Sequence, residues 1–445
     1  MLIEFSVSNF RSFREIQTLH LQSAPIKSKK RQLDEDNIFP INPKISLVKS
    51  KVIFGPNASG KSNLVKAMTA FFTIVRQSFK DENILKQALN PFMLDAEAFL
   101  EPAYFQIQFR LDDRNYRYGF EANSKVIVSE WLFSSDDRGH EAYHFKREKD
   151  QIEVNPRTFK EAVRLAGDKG EAMLPYYRPN VLFFTLLAAN NRPLAAKINQ
   201  YFSNYYAIYS GVDEASIASI AMESLLNAGM HSKIVEVLKR SDTGIEGLEL
   251  VENPDNRSGN ATIDLYQKLK SEEKKPMTVV TKRTMFNTQN NQKVDIFFPL
   301  SDESYGTQKM FWLSPFLINT LENGGVLVID EFGSSLHVRL IRAILDLFHS
   351  KSTNPHNAQL IVATHDTHLL DQTIFRRDQI AFIDKNKSGQ SILTDLVEFK
   401  GVRNDASLES DYLHGRYGAV PLVNQFKWAF TPETDGKTRQ ENGSR

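Results

Sequence analysis

Ile3, Phe5 and Val7 alternate with polar neighbours, so the chain should open with a half-buried strand. The turn Asn9-Phe-Arg-Ser-Phe13 follows, then a second strand around residues 16–21. Residues 23–44 are rich in Lys, Ser, Asp and Pro and read as a loop. The apolar run from Ser46 to Phe54 leads into Gly55-Pro-Asn-Ala-Ser-Gly-Lys-Ser62, and residues 63–75 carry a helical period. Residues 103–133 alternate again, with turn residues at Asp112–Asp113 and Ala122–Ser124, which predicts an antiparallel meander. From about 157 to 240 the period is helical, and strand patterns return at 245–250, 278–285 and 294–300. In the last third, helices at 307–322 and 335–350 precede the strands 324–331 and 358–365, and further strands follow at 379–384 and 392–398. That alternation predicts a largely parallel sheet with helices on its faces.

At 445 residues and 41% hydrophobic, the chain is long enough for two or three lobes around substantial cores. Lys and Arg total 55 against 54 acids, so no global field draws it to nucleic acid or membrane. The absence of cysteine excludes disulfides, zinc–thiolate sites and iron–sulfur ligation. No signal-peptide pattern opens the sequence and no apolar run is long enough for a membrane span, so a cytoplasmic protein is expected. The polar, aperiodic residues 431–445 are expected to form a flexible tail.

Gly55 to Ser62 fits G-x-x-x-x-G-K-S in full. Glycines let successive backbone N–H groups curl toward phosphate oxygens, and the following helix adds its positive end. Gly55, Asn57, Ser59, Gly60, Lys61, Ser62 and Asn63 form the expected nucleotide-binding set. Lys61 would reach the β- and γ-phosphates of ATP, and the Ser62 hydroxyl would ligate Mg²⁺. Val326-Leu-Val-Ile-Asp-Glu331 is an apolar strand ending in two acids. Its burial would fix Asp330 at the carboxyl end of the sheet as a Mg²⁺ ligand, with Glu331 polarising the attacking water.

Ser304-Tyr-Gly-Thr307 opens a helix before that strand, and Thr364-His365 ends the strand after it. The four-part set resembles the ABC ATPases of the SMC and RecF type. The resemblance implies an α/β P-loop fold of ABC-ATPase type, a mixed sheet flanked by helices with an antiparallel β-lobe, and a helical insertion between the two acidic and phosphate motifs. It also implies that Ser304, Gly306 and Thr307 bind the γ-phosphate held by a second copy, so that a homodimer or higher oligomer forms around ATP. His365 would contact the same phosphate. Ser334–His337 matches the family's dimer-crossing loop, and the Asn9–Phe13 turn resembles its N-F-[KR]-S-F turn, which would place Arg11 near the phosphates. Thr307 stands where the family commonly has glutamine, and the only candidate for its Mg²⁺-contacting glutamine is Gln87.

A narrower resemblance rests on PFMLD (91–95), YRYGFE (116–121), EWLF (130–133), RRDQIAFID (376–384) and GRYGAVP (415–421). These look like stand-alone RloA/AbiL-type ATPases of abortive infection and anti-phage defence. That likeness implies a separately encoded effector protein, in some cases a TOPRIM-like nuclease. The residues themselves give only an ATP switch.

Three further features bear on function. His365-Asp-Thr-His368 could ligate a metal, but a phosphate-sensing His365 is the preferred reading, and the chain after it is too short for a built-in nuclease. The aromatic run at 201–210 could stack bases, but core packing with a protein interface is preferred because no basic cluster accompanies it. Lys27-Ser-Lys-Lys-Arg31 reads as a solvated basic loop. The expected division is 1–150 for the first half of the ATPase head, 151–243 for the helical insertion, 244–430 for the second half and 431–445 for the tail. An ATP switch controlling an effector is the favoured function; a RecF/SMC-like DNA-binding ATPase of repair is the alternative.

Overall fold

The computed structural model describes residues 1–166, 178–208, 214–252, 277–286, 293–403 and 405–420. The expected tail at 431–445 lies outside the described residues, as do the last two positions of the aromatic run.

Strands β1 (Leu2–Ser8), β2 (Gln17–His20), β3 (Ile38–Asn42), β4 (Ile45–Val48) and β5 (Ser50–Phe54) precede the phosphate loop. The meander contributes β6 (Ala103–Leu111), β7 (Arg114–Ala122), β8 (Ile127–Ser135), β9 (Glu141–Glu148) and β10 (Gln151–Val154). Next come β11 (Tyr205–Ile208), β12 (Gly247–Glu252), β13 (Met277–Phe286) and β14 (Lys293–Pro299). The last third adds β15 (Val326–Ile329), β16 (Gln359–Ala363), β17 (Ile380–Lys385) and β18 (Ser391–Asp395).

Six strands form the central sheet in the order β11-β15-β16-β5-β17-β18. All its pairs are parallel except β17–β18. Both faces are covered, which is why these strands read as continuous apolar runs. Ile53, Val328 and Ile361 point into one core, shared with the phosphate-loop helix Lys61–Gln77 and the meander. Val52, Leu327, Ile329 and Leu360 point into the other, with the helices Tyr305–Asn323 and Val338–His349. The fold is α/β, a mixed central sheet flanked by helices, with a seven-stranded antiparallel sheet, β10-β9-β8-β7-β6-β1-β2, as its β-lobe. Phe71 ties the phosphate-loop helix to this sheet, stacked on Phe120 of β7 at 5.6 Å and edge-on to Phe5 of β1 at 6.0 Å.

Two expectations are corrected. Residues 23–44 are not all loop: they hold the helix Arg31–Asp36 and β3, which pairs with β4 and packs Phe39 and Leu47 against Ile3. Composition hid this strand because it is short and carries Pro40. The stretch between the meander and β12 supplies the expected helices, Phe183–Ala189, Pro193–Ser203, Glu214–Ser224 and Ala228–Arg240. It also returns to the central sheet, where β11 pairs in parallel with β15. The aromatic run belongs to that return. Phe202 and Tyr205 are buried, Tyr201 stacks on Phe109 at 5.2 Å, and the Tyr201 and Tyr205 hydroxyls meet at 2.7 Å.

Glu130 pins this helical segment to the meander. It is buried, and its carboxylate accepts from the Tyr118 hydroxyl at 3.0 Å and from the Phe183 and Phe184 amides at 2.7 and 2.9 Å. Arg147 stands 3.8 Å away, also buried. Burial pushes the carboxyl pKa up, against the opposing pull of Arg147 and the donors. Glu130→Ala would remove the carboxylate that faces the buried Arg147 charge, which keeps its bonds to the Lys149, Pro179 and Val181 carbonyls, and the acceptor of the Phe183 and Phe184 amides, so we expect a loss of about 3–5 kcal/mol. Urea denaturation would read it, and a loss under about 1 kcal/mol would contradict this role.

Candidate functional site

Three parallel strands deliver three groups to one end of the sheet. β5 runs into Gly55 and the phosphate loop, β15 into Asp330 and Glu331, and β16 into Thr364 and His365. Cross-links hold these exits in register. The Thr364 amide donates to the Ile53 carbonyl at 3.0 Å and the Phe332 amide to Ala363 at 2.9 Å. The Thr364 hydroxyl donates to the Phe332 carbonyl at 2.6 Å.

The loop closes through left-handed backbone at Ala58 (φ 62°) and Gly60 (φ 119°). A side chain at Gly60 would fall on the Ser391 hydroxyl and lie 2.8 Å from that of Ser12, so both conformation and space require glycine there. Ser391, on β18, donates to the Ser12 hydroxyl at 2.7 Å and to the Ser59 carbonyl at 2.5 Å. Ser12 in turn accepts from Asn63 at 2.8 Å. The Asn9–Phe13 turn is therefore built into the wall of the phosphate loop. Neither Ser391 nor this role for Ser12 was evident in the sequence, because serines far apart in the chain carry no pattern that pairs them.

The Lys61 ammonium donates to the Gly55 carbonyl at 2.7 Å and the Pro56 carbonyl at 3.0 Å. Burial lowers its pKa to about 8, while Asp330 and Glu331 act in the opposite direction. His365 is likewise pushed down, first by desolvation and then by Lys61, with Glu331 and Asp330 opposing. Lys61 and His365 thus both lie in the field of Asp330 and Glu331 of the same chain. Asp330 is 5% exposed and accepts from the Glu331 amide at 3.0 Å. Glu331 adopts a left-handed φ of 49° and faces solvent. Asn57 is exposed on the loop, whereas Ser59 is buried with its hydroxyl unpartnered.

The half-buried Ser62 hydroxyl makes no hydrogen bond among the described residues, and Asp330 has a second carboxylate oxygen in hand. One hydroxyl and one carboxylate suit Mg²⁺, which keeps several waters and takes phosphate oxygens for the rest. Among the described residues, no group of three or more His, Asp or Glu could hold a metal ion. His368 turns instead to Glu409, 3.6 Å away.

Ser304 caps the helix Tyr305–Asn323, accepting from the Thr307 amide at 3.2 Å and lying 2.9 Å from the Thr307 hydroxyl. Among the described residues, Ser304 and Thr307 bond to each other and along their own helix, not to the phosphate loop. Arg11 has φ 53°, donates its amide to Asn90 at 2.7 Å and keeps a buried Nε without a partner. It lines a cavity of about 310 Å³ with Lys66, Thr69, Thr73, Gln87 and Asn90. Gln87 and Arg11 are thus brought together beside the phosphate-loop helix, while Ser62 and Asp330 do not line that cavity.

Residues 52–371 match the family described as "AAA domain, putative AbiEii toxin, Type IV TA system". The chain belongs to this family. The matched span includes the phosphate loop, both acids, Ser304 and His365, so this AAA-family chain carries a P-loop ATPase domain that binds ATP. Two similar solved structures are titled "Structure of the recombination mediator protein RecF-ATPrS in RecFOR pathway" and "Structure of the recombination mediator protein RecF-ATP in RecFOR pathway". The first shares 12% identity over 89% of this chain and 98% of its own, with a TM-score of 0.30. The second shares 13% over 88% and 97%, with a TM-score of 0.29. No curated protein matches. No helix among the described residues is long and apolar enough to cross a membrane.

The lysine provides a test of the site. A triphosphate would restore the Lys61 proton, so ATP affinity should be full below pH 8 and weaken as pH rises through that value. The fall should approach ten-fold per pH unit, with proton uptake measurable by calorimetry in two buffers. Lys61→Met should bind weakly and lose the slope; an unchanged slope in that variant would assign the effect elsewhere.

Proposed function

We propose that this chain is an ATP-hydrolysing switch that dimerises around ATP and Mg²⁺ and controls a separately encoded effector protein in anti-phage defence. The observation that carries the reading is the division of the machinery. Adjacent parallel strands bring Lys61, Asp330, Glu331 and His365 to one end of the sheet, whereas among the described residues Ser304 and Thr307 bond to each other and along their own helix. A helix capped by Ser304, with the Gly306 and Thr307 amides at its positive end, is a good anion site for a phosphate that comes from elsewhere. A second copy supplies that phosphate.

In each composite site Lys61 and the loop amides hold the β- and γ-phosphates. Ser62 and Asp330 would hold Mg²⁺, which neutralises developing charge on the phosphate oxygens. Glu331 orients a water and draws its proton as the oxygen attacks the γ-phosphorus and the bond to ADP breaks. His365 donates to the γ-phosphate and senses its loss. Closure with ATP and opening after hydrolysis are then the two states an effector can read. The family description, with its reference to a toxin and a Type IV TA system, supports a setting in which such an ATPase works with a partner.

Direct DNA binding is the second reading. Lys29, Lys30, Arg339 and Arg342 gather around a groove of about 680 Å³, which favours an anionic ligand. Asp371, Asp405 and Glu409 line the same groove and Arg342 is paired with Asp371, which weakens it for a polyanion.

Glu331→Gln should bind ATP, hydrolyse it at least about 100-fold more slowly and hold the closed state. Purified from cells with its neighbouring genes, it should carry a stoichiometric second protein whose retention depends on ATP. Nuclease-sensitive DNA with no protein companion would replace this reading with the repair one.

A further inference from the structure

Lys309 lies in the second turn of the helix that Ser304 caps, and its side chain is buried, 7% exposed. Its ammonium donates to the Ser334 carbonyl at 2.9 Å and to the Ser334 hydroxyl at 2.7 Å, and reaches the Glu331 carbonyl at 3.4 Å. A buried ammonium costs several kcal/mol to desolvate unless its donors are used, so this side chain is anchored to the turn that carries Glu331.

That turn needs an anchor. Glu331, Gly333 and Ser335 all have positive φ, 49°, 99° and 65°, and two of the three are not glycine. Its internal bonds are few: the Ser334 amide to Glu331 at 3.1 Å and the Leu336 amide to Gly333 at 3.2 Å. Strain of this kind persists only where the surroundings over-determine it. On one side it is held by the Thr364 hydroxyl on the Phe332 carbonyl, and on the other by Lys309. A second contact joins the same pair of segments. A side chain at Gly306 would lie 2.6 Å from the Ser335 carbonyl, so the first turn of the helix sits directly on the far end of the Glu331 turn.

We infer that Lys309 is a positioning residue that couples the Ser304–Thr307 end of its helix to the placement of the Glu331 carboxylate in the same chain. This rests on the composite-site reading above. When a second copy's phosphate docks on the helix cap, the helix shifts as a unit. Lys309 and the Gly306 contact pass that shift to the Glu331 turn about one helical turn away. Each copy's hydrolytic carboxylate then reports whether the other copy's nucleotide is in place, and the two sites fire together.

The test uses the full chain, steady-state hydrolysis against ATP concentration, and binding of a fluorescent ATP analogue. Lys309→Met should bind the analogue within about three-fold of wild type, since Lys309 does not touch the phosphate loop, yet lose about ten-fold or more in kcat. The wild-type rate should rise sigmoidally with ATP, and Lys309→Met should lose that form. Lys309→Arg, which keeps the cation and its donors, should recover most of kcat. Ser334→Ala removes one acceptor without unburying a charge and should lower kcat a few-fold; it carries the test if Lys309→Met melts before assay. The inference is overturned if kcat is unchanged in Lys309→Met or, where that variant does not fold, in Ser334→Ala. It is equally overturned if the loss lies in nucleotide affinity alone. Failure of the composite-site reading looks different: an equimolar mixture of Lys61→Ala and Ser304→Arg would then be no more active than the mean of its components.

Discussion

Strands β15, β16 and β5 pair in parallel so that Ile329 lies beside Val362 and Ala363 beside Ile53, and this register is what the site depends on. Side chains alternate between two separate cores, so a one-residue slip would turn every apolar residue of the strand to the wrong face. The cost of that slip fixes Asp330, Thr364 and Gly55 at neighbouring exits. Chemistry at the strand ends is thus positioned by hydrophobic packing further down the same strands. Cross-links from Thr364 to Ile53 and to Phe332 transmit that precision over the last few residues.

Electrostatics then follow from position. Lys61 is buried and donates to the Gly55 and Pro56 carbonyls, and burial lowers its pKa against two carboxylates. The loop is therefore a site whose own cation is under-satisfied, and a polyanion relieves it. Glu331 sits at the surface on a strained turn, so its orientation is set by what holds the turn rather than by a rotamer preference. Lys309 and Thr364 occupy that position, one from each flanking element.

Much of this was legible in the sequence because it is local. The strand, glycine loop and helix at 46–75, the four aliphatics before Asp330 and the strand before His365 are contiguous patterns with one plausible packing each. Four features escaped because they depend on distant partners. Tyr205 and Ile208 look like the end of a helical aromatic run, yet they form a strand once β15 is beside them. Nothing local marks Glu130, in an alternating strand, as the acceptor for the helix end that lands on it. Lys309, in an amphipathic helix, looks like a surface cation until the Glu331 turn folds over it. Ser12 and Ser391 meet across nearly the whole chain and have no signal in one sequence.

The central claim is that one copy's Ser304 cap completes the other copy's phosphate loop. Lys61→Ala should be inactive in its own loop, and Ser304→Arg, at an exposed position, should be inactive in the cap it offers. ATP hydrolysis by an equimolar mixture of the two purified variants is the direct measurement. Random pairing would put one intact composite site in half of the dimers, so the mixture should recover activity: about a quarter of wild type for independent sites, and about a fortieth where the Lys309 coupling withholds its ten-fold from a lone site. A mixture no more active than the mean of its two components would contradict the account, and would place the whole hydrolytic site within a single chain.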